Sequence, residues 1–176
     1  MKVTEKLRLS HILIGLGLGA LSGFIAGLAE VFYIGYAIAL YFLHPSIFVV
    51  FVASFIAPFV EEQIKPLGLY FLKEEEGVSL SAGDWTILGN FAGLGFGLLE
   101  NGLYAYQVSN YGYDVSLALA GLRTLVSLPV HMIATSVTGF GIGLWARTGK
   151  VSYFIRFLVV AMLIHGFYNF AATMVG

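Results

Sequence analysis

The ionisable side chains that fall deep inside apolar stretches of this chain are Glu61, Glu62, Lys65, Glu100, Arg123, His131 and His165. In lipid such groups cost several kcal/mol apiece unless they face a protein interior or a wet cavity, so most of them must meet one another. Carboxylates gathered with imidazoles have two chemical uses. One glutamate of a close pair can serve as a base while the other holds a proton. Two imidazoles with one or two carboxylates also make a shell suited to Zn²⁺ with a position left for water. Both uses end in an activated water, and these residues satisfy either.

Spacing sorts the candidates further. Glu61 and Lys65, Phe96 and Glu100, and His165 and Asn169 are each four residues apart and share a helix face. Glu61 with Lys65 is either an intrahelical ion pair or part of the site. Glu62 lies about 100° round the helix, has no such partner in reach, and is the stronger candidate for chemistry. Arg123 either neutralises the carboxylates or positions a substrate carbonyl or carboxylate. Asn101 and Asn169 read as interhelical hydrogen-bond links or as parts of the site. Glu30, His11 and His44 lie toward segment ends and are expected to be solvated.

Only a bundle of membrane helices can bring these side chains together. Of 176 residues, 59% are hydrophobic and 11% charged, with a mean hydropathy of +0.88, whereas soluble domains carry about one quarter charged residues. Apolar stretches at 9–43, 46–72, 85–108, 116–145 and 151–175 each reach the roughly 20 residues that cross a bilayer as helix. The expectation is an all-α polytopic membrane protein, one integral membrane domain over residues 1–176, with an N-terminal helical segment at 9–43 and a four-helix core at 46–175. The first stretch outruns a signal-peptide core and closes on no cleavage-like site, so it is read as a retained membrane segment. At about 50 Å as one helix it must tilt, kink or fold into a hairpin near Glu30, giving one helix or two.

Charge and length pull the span count in different directions. Lys2, Lys6 and Arg8, and Arg147, Lys150 and Arg156 around the turn RTGK, both favour the cytoplasmic side. Five spans put the two clusters together; the length of the first stretch favours six, and the reading leans to six helical segments with a cytoplasmic N-terminus. Gly15, Gly19, Gly23 and Gly27 form one stripe of small residues and Gly89, Gly93 and Gly97 another, which lets helices approach closely. Pro45 suits a first helical turn. Pro58, Pro66 and Pro129 fall inside helical patterns, each freeing a carbonyl four residues earlier, that of Glu62 in the case of Pro66. The run KEEEGVSLSAGD at 73–84 is the one clearly polar loop.

Depth tests whether the ionisable groups converge. At about 1.5 Å per residue, counted from the side carrying the 73–84 loop and the RTGK turn, Glu61 lies about 18 Å in, Glu100 and His131 about 22 Å, and His165 about 21 Å. Four residues on four helices share one level. The absence of cysteine excludes disulfides and a thiolate nucleophile, and a net charge of −1 argues against nucleic acid as a partner.

In order along the chain stand EEQIK at 61–65, FGLLEN at 96–101, HMIATSVTG at 131–139 and HGFYN at 165–169. This series resembles the PrsW family of intramembrane proteases, within the superfamily of CAAX-prenyl proteases and bacteriocin-processing enzymes, over roughly residues 46–175. The resemblance implies a catalytic core around a water-filled cavity. Glu61 and Glu62 match its paired glutamates, Glu100 the glutamate of FxxxE, His131 and His165 its two histidines, and Asn169 the end of HxxxN. Arg123 also fits the pattern, and a glutamate at 100, where the prenyl-protease branch has histidine, points toward PrsW.

The activity so implied is an endopeptidase of the cell membrane that cleaves membrane-anchored substrates, its partners being that substrate and the bilayer. One of Glu61 and Glu62 would be the general base, while the other, Glu100 or a histidine holds the water or a metal. His165 with Asn169, or His131, would stabilise the oxyanion. Lys65, Arg123 and Asn101 would support the site or the substrate, and Zn²⁺, in the metal-dependent version, would be held by Glu62, Glu100, His131 and His165. Two other classes fit the same residues. One is a non-catalytic scaffold holding a partner helix, which the superfamily's likeness to a non-catalytic subunit of gamma-secretase suggests; the other is a proton or ion carrier.

Overall fold

The structure, a computed structural model, describes residues 6–75 and 80–175; Lys2 and positions 76–79 of the polar loop lie outside the described residues. The first apolar stretch is a single 35-residue helix, α1 (Leu9–Leu43), unbroken at Glu30. A hairpin there needs turn chemistry, and the local sequence GLAEVFYIG supplies none. The second column is interrupted: α2 (Pro45–Phe51), a π-helical turn (Val52–Ile56), α3 (Ala57–Ile64) and α4 (Leu67–Glu75). Pro45 opens α2 as expected. Pro58 has no N–H to offer the Ser54 carbonyl, and beside it the ladder widens, with the Ala57 N–H reaching five residues back to Val52. Pro66 marks the break between α3 and α4, where its own carbonyl accepts from the N–H groups of Leu69 and Tyr70.

Helix α5 (Ala82–Gln107) begins at a capping box in which Ser81 Oγ accepts from the Asp84 N–H and the Asp84 carboxylate accepts from the Ser81 N–H. The stretch expected as one helix at 116–145 is two, α6 (Tyr113–Leu125) and α7 (Ser127–Thr148), parted at Val126. Pro129 therefore sits in a first turn, where its missing N–H is one the helix would leave unpaired anyway. Gly149, at φ 71°, turns the chain into α8 (Val151–Val175).

Close glycine contacts fix how the columns run. Gly15 meets Leu88, Gly19 meets Ala92 and Gly23 meets Phe96, so α1 is parallel to α5; Gly89 meets Thr135, Gly93 meets His131 and Gly143 meets Ala82, so α7 is antiparallel to it. A methyl on Gly19 would overlap the Ala92 carbonyl, and one on Gly93 the carbonyl of His131. Because α1 and α5 start at the same end, Lys6 and Arg8 share that end with Ser81 at the start of α5 and with the RTGK turn. Among the described residues the bundle thus has five columns, against the leaning to six: Gly15, Gly19 and Gly23 pin α1, one continuous helix, to α5. Four stretches among the described residues are long and apolar enough to cross a bilayer, Leu9–Leu43, Pro45–Lys73, Tyr113–Thr148 and Val151–Val175, with α5 packed between α1 and α7.

Trp85, Leu88, Leu69 and Ile142 fill the end of the bundle that carries the loops, and the ionisable residues lie above them. His11, expected to be solvated, is 3% exposed, because it lies one turn before Gly15 on the face that meets α5; His44 is exposed as expected. Gly93→Ala is expected to cost about 1–3 kcal/mol by forcing α7 off α5, read as a lowered thermal midpoint in detergent. Gly27→Ala, where nothing lies within 4 Å, should change stability by less than about 0.5 kcal/mol.

Candidate active site

Lys65 occupies the centre of the polar cluster. Its Nζ lies 2.6 Å from Glu62 Oε1, 2.9 Å from Glu61 Oε2, 2.9 Å from His131 Nδ1 and 3.5 Å from His165 Nδ1. The Phe96 ring closes a fifth side, 4.2 Å from Nζ to its centroid. Glu62 therefore has a lysine partner after all, and a closer one than Glu61 has. The expectation failed because only the i,i+4 pair was weighed; a long lysine reaches both residues of the preceding turn, at i,i+3 and i,i+4.

The histidines arrive from α7 and α8. His131 is set by the Gly93 contact, which lets α7 come close, and its ring lies beside Gly97. The two imidazoles stand edge to face, 4.8 Å between centroids. Hydrogen-bond partners assign their tautomers. His131 Nδ1 accepts from the Lys65 ammonium, which leaves the proton on Nε2, 2.8 Å from Glu100 Oε2. His165 Nδ1 lies 2.9 Å from Glu62 Oε1, a carboxylate that can only accept, so Nδ1 carries the proton and Nε2 accepts from Asn169 Nδ2 at 3.2 Å.

Glu100 thus lies on the far nitrogen of His131 and is held by Arg123, whose Nη2 is 2.6 Å from Glu100 Oε2 and whose Nε donates to Asn101 Oδ1 at 3.0 Å. The Arg123 guanidinium also stacks on Tyr104, 3.8 Å from its centroid. Asn169 gives its second N–H to the Ala53 carbonyl in the π-helical turn, at 2.9 Å. With both its hydrogens taken, Asn169 orients His165 and the turn, leaving no donor for an oxyanion.

A cavity of about 510 Å³ opens onto this cluster, and Glu30, Glu61, Glu100, Arg123, His131 and His165 are among the residues on its wall. Glu62, fully buried, is not among them. The roughly 100° between adjacent helical residues turns Glu61 to the cavity and Glu62 behind it. Glu30, expected to be solvated, is half-buried and lines the cavity together with Glu61. Its signal was present in the sequence: Glu30 falls seven residues after Gly23 and four after Ala26, on the face of the small-residue stripe that α1 turns to α5. Ser127 Oγ, 3.2 Å from His131 Nε2, and Tyr104 are further wall residues that spacing did not single out.

A ligand atom from each of Glu61, Glu62, His131 and His165 lies within 4.8 Å of the others, a group of donors of the kind that can hold a metal ion. Glu61 takes the place expected for Glu100, because Arg123 draws the latter to the other side of His131.

The model of a family described as "PrsW family intramembrane metalloprotease" matches residues 8–176. The chain belongs to this family. Relatives named Protease PrsW are 28% identical over 120 residues in Shouchella clausii, covering 67% of this chain and 53% of the relative, and 26% identical over 125 residues in Clostridioides difficile, covering 69% and 51%. The chain spans about half the length of these curated relatives. No solved structure matches it. The PrsW match reaches from the first helix to the last, so it includes Glu30 and α1 as well as the four helices that carry the glutamate and histidine motifs.

Proposed function

We propose that this chain is an intramembrane endopeptidase that hydrolyses a peptide bond of a membrane-anchored substrate. The observation that carries the reading is the joint presence of Glu61, Glu100, His131 and His165 on the wall of one cavity inside the bundle, in a chain of a protease family. Glu61 is the general base: a water on its cavity side attacks the scissile carbonyl carbon and gives its proton to the carboxylate, which passes it to the leaving amide nitrogen as the C–N bond breaks. Arg123 spends two of five N–H donors on Glu100 and Asn101 and retains capacity for the oxyanion. His131 keeps Glu100 in place, and Glu62, His165 and Asn169 position the Glu61 helix.

The metal question is tested by the donors themselves. Two carboxylates and two imidazoles are a set that Zn²⁺ accepts, and when bound it would polarise the substrate carbonyl or bound water. The arrangement here does not fit it. The Lys65 ammonium stands in contact with all four donors, and the His165 nitrogen turned inward carries a proton.

The charge pattern supports a cytoplasmic N-terminus in the cell membrane. The chain reconstituted in liposomes with a membrane-anchored peptide is expected to release products whose masses locate one bond. Proton or ion flux with no such products would leave the carrier reading in its place; neither flux nor products would favour the scaffold.

The Glu100–Arg123 pair adds a further expectation. Arg123→Leu removes the cavity donor and leaves Glu100 held by His131 alone, and should lower kcat about 100-fold or more with the thermal midpoint lowered only slightly, since both side chains are 18% exposed. Equal loss in KM and none in kcat would make Arg123 a substrate-binding residue only.

A further inference from the structure

We infer that Lys65 is the resident cation of this site: its ammonium takes the position that a divalent metal would occupy between Glu61, Glu62, His131 and His165, so the folded chain carries this cluster without a bound metal ion. The inference concerns the site alone and is separable from peptide cleavage, because its readouts are metal content and stability.

Three features carry it. Three charged or polar atoms lie within 2.9 Å of Nζ: the ammonium donates to Glu62 Oε1 and His131 Nδ1, and Glu61 Oε2 stands beside it as an ion pair at 2.9 Å. The side chain is fully buried at 0% exposure and is backed by the Phe96 ring, so no open path lets it withdraw while the helices stay packed. The imidazoles are set for an ammonium too. His131 offers it a lone pair, whereas His165 turns an N–H toward Glu62 and would have to shift its proton and lose that bond to ligate a metal.

A divalent ion and the ammonium cannot share the space, since like charges a few ångströms apart in a dry site repel strongly. Removing the ammonium should therefore convert the cluster into a metal site. The two glutamates would be left without their cation, the state in which buried carboxylates are most costly, and Zn²⁺ would find two carboxylates and two imidazoles at the right separation.

The test uses the full chain purified in detergent, dialysed against excess Zn²⁺ and then against metal-free buffer. The parent is expected to keep no stoichiometric zinc by mass spectrometry and to show no change in thermal midpoint with Zn²⁺. Lys65→Met is expected to unfold at lower temperature than the parent, to bind about one Zn²⁺ per chain, and to regain much of the lost midpoint when zinc is added. One equivalent of zinc held by the parent overturns the inference, as does a Lys65→Met protein as stable as the parent and blind to zinc. Should Lys65→Met not be recovered folded, the triple variant Lys65→Met/Glu61→Gln/Glu62→Gln removes the cation together with both charges. Its recovery supports the ammonium as counter-ion; its failure as well would make Lys65 a packing residue and overturn the inference.

Discussion

Glu61→Gln is expected to leave the bundle folded and to slow cleavage of a membrane-anchored peptide by about 100- to 10,000-fold, the range over which a positioned general base acts. Glutamine keeps the size of the side chain, while Glu62 continues to neutralise the ammonium at 2.6 Å. What it loses is the capacity to take a proton from water on the cavity side. Initial rates of product formation in nanodiscs, with folding checked by thermal unfolding of the same samples, would measure the effect. Glu62→Gln offers the decisive contrast. If folded Glu62→Gln lost cleavage to this extent while Glu61→Gln kept the parental rate, the base would be Glu62, and a water would have to reach a carboxylate that the cavity wall does not include.

The difference between these neighbours was only half legible in the sequence. Depth along four helices brought Glu61, Glu100, His131 and His165 to one level, and all four do line one cavity; that argument works because rise per residue is nearly constant in a helix. Azimuth is harder to read. It depends on which face each helix turns inward, and the breaks at Val52–Ile56, at Pro66 and at Val126 reset that face in ways a count of residues does not carry. Hence Glu62 looked free and Glu61 partly occupied by Lys65, whereas the lysine contacts both and Glu61 is the one that lines the cavity. Glu100 was placed at the right depth and among the wrong partners for the same reason, because Arg123 comes from α6, an element hidden inside what read as one long helix.

Glu30 shows a different failure. Position near a segment end suggested solvent, yet α1 is a single helix longer than a bilayer is thick, and its small-residue face continues past Gly23 into the site. The glycine stripes are contact faces at Gly15, Gly19 and Gly23 and at Gly89, Gly93 and Gly97, while Gly27, the last of the first stripe, meets nothing within 4 Å. They also did more than pack helices: Gly93 and Gly97 set the distance at which His131 stands from Lys65 and Glu100, so part of the site's geometry is written in residues that carry no chemistry.

Glu62→Gln is the second large effect, and it should appear in stability. Its Oε1 accepts from the Lys65 ammonium at 2.6 Å and from His165 at 2.9 Å, while its Oε2 is buried with no hydrogen-bond partner. Exchanging the carboxylate for an amide weakens both charge-assisted bonds and leaves a fully buried lysine with Glu61 as its remaining counter-charge in the cluster. Removing one partner of a buried ion pair costs about 3–5 kcal/mol, and the low end applies because Glu61 stays at 2.9 Å. The loss should be seen as a lower midpoint in thermal or mixed-micelle unfolding, and should exceed that of Glu61→Gln, whose side chain meets the cavity. Adding Lys65→Met to Glu62→Gln should cost less than the sum of the two single losses, because once the ammonium is gone the missing carboxylate no longer has a charge to balance. Strict additivity would mean that the two side chains do not act as a pair, and the ammonium would then owe its place to packing against Phe96 and the two imidazoles.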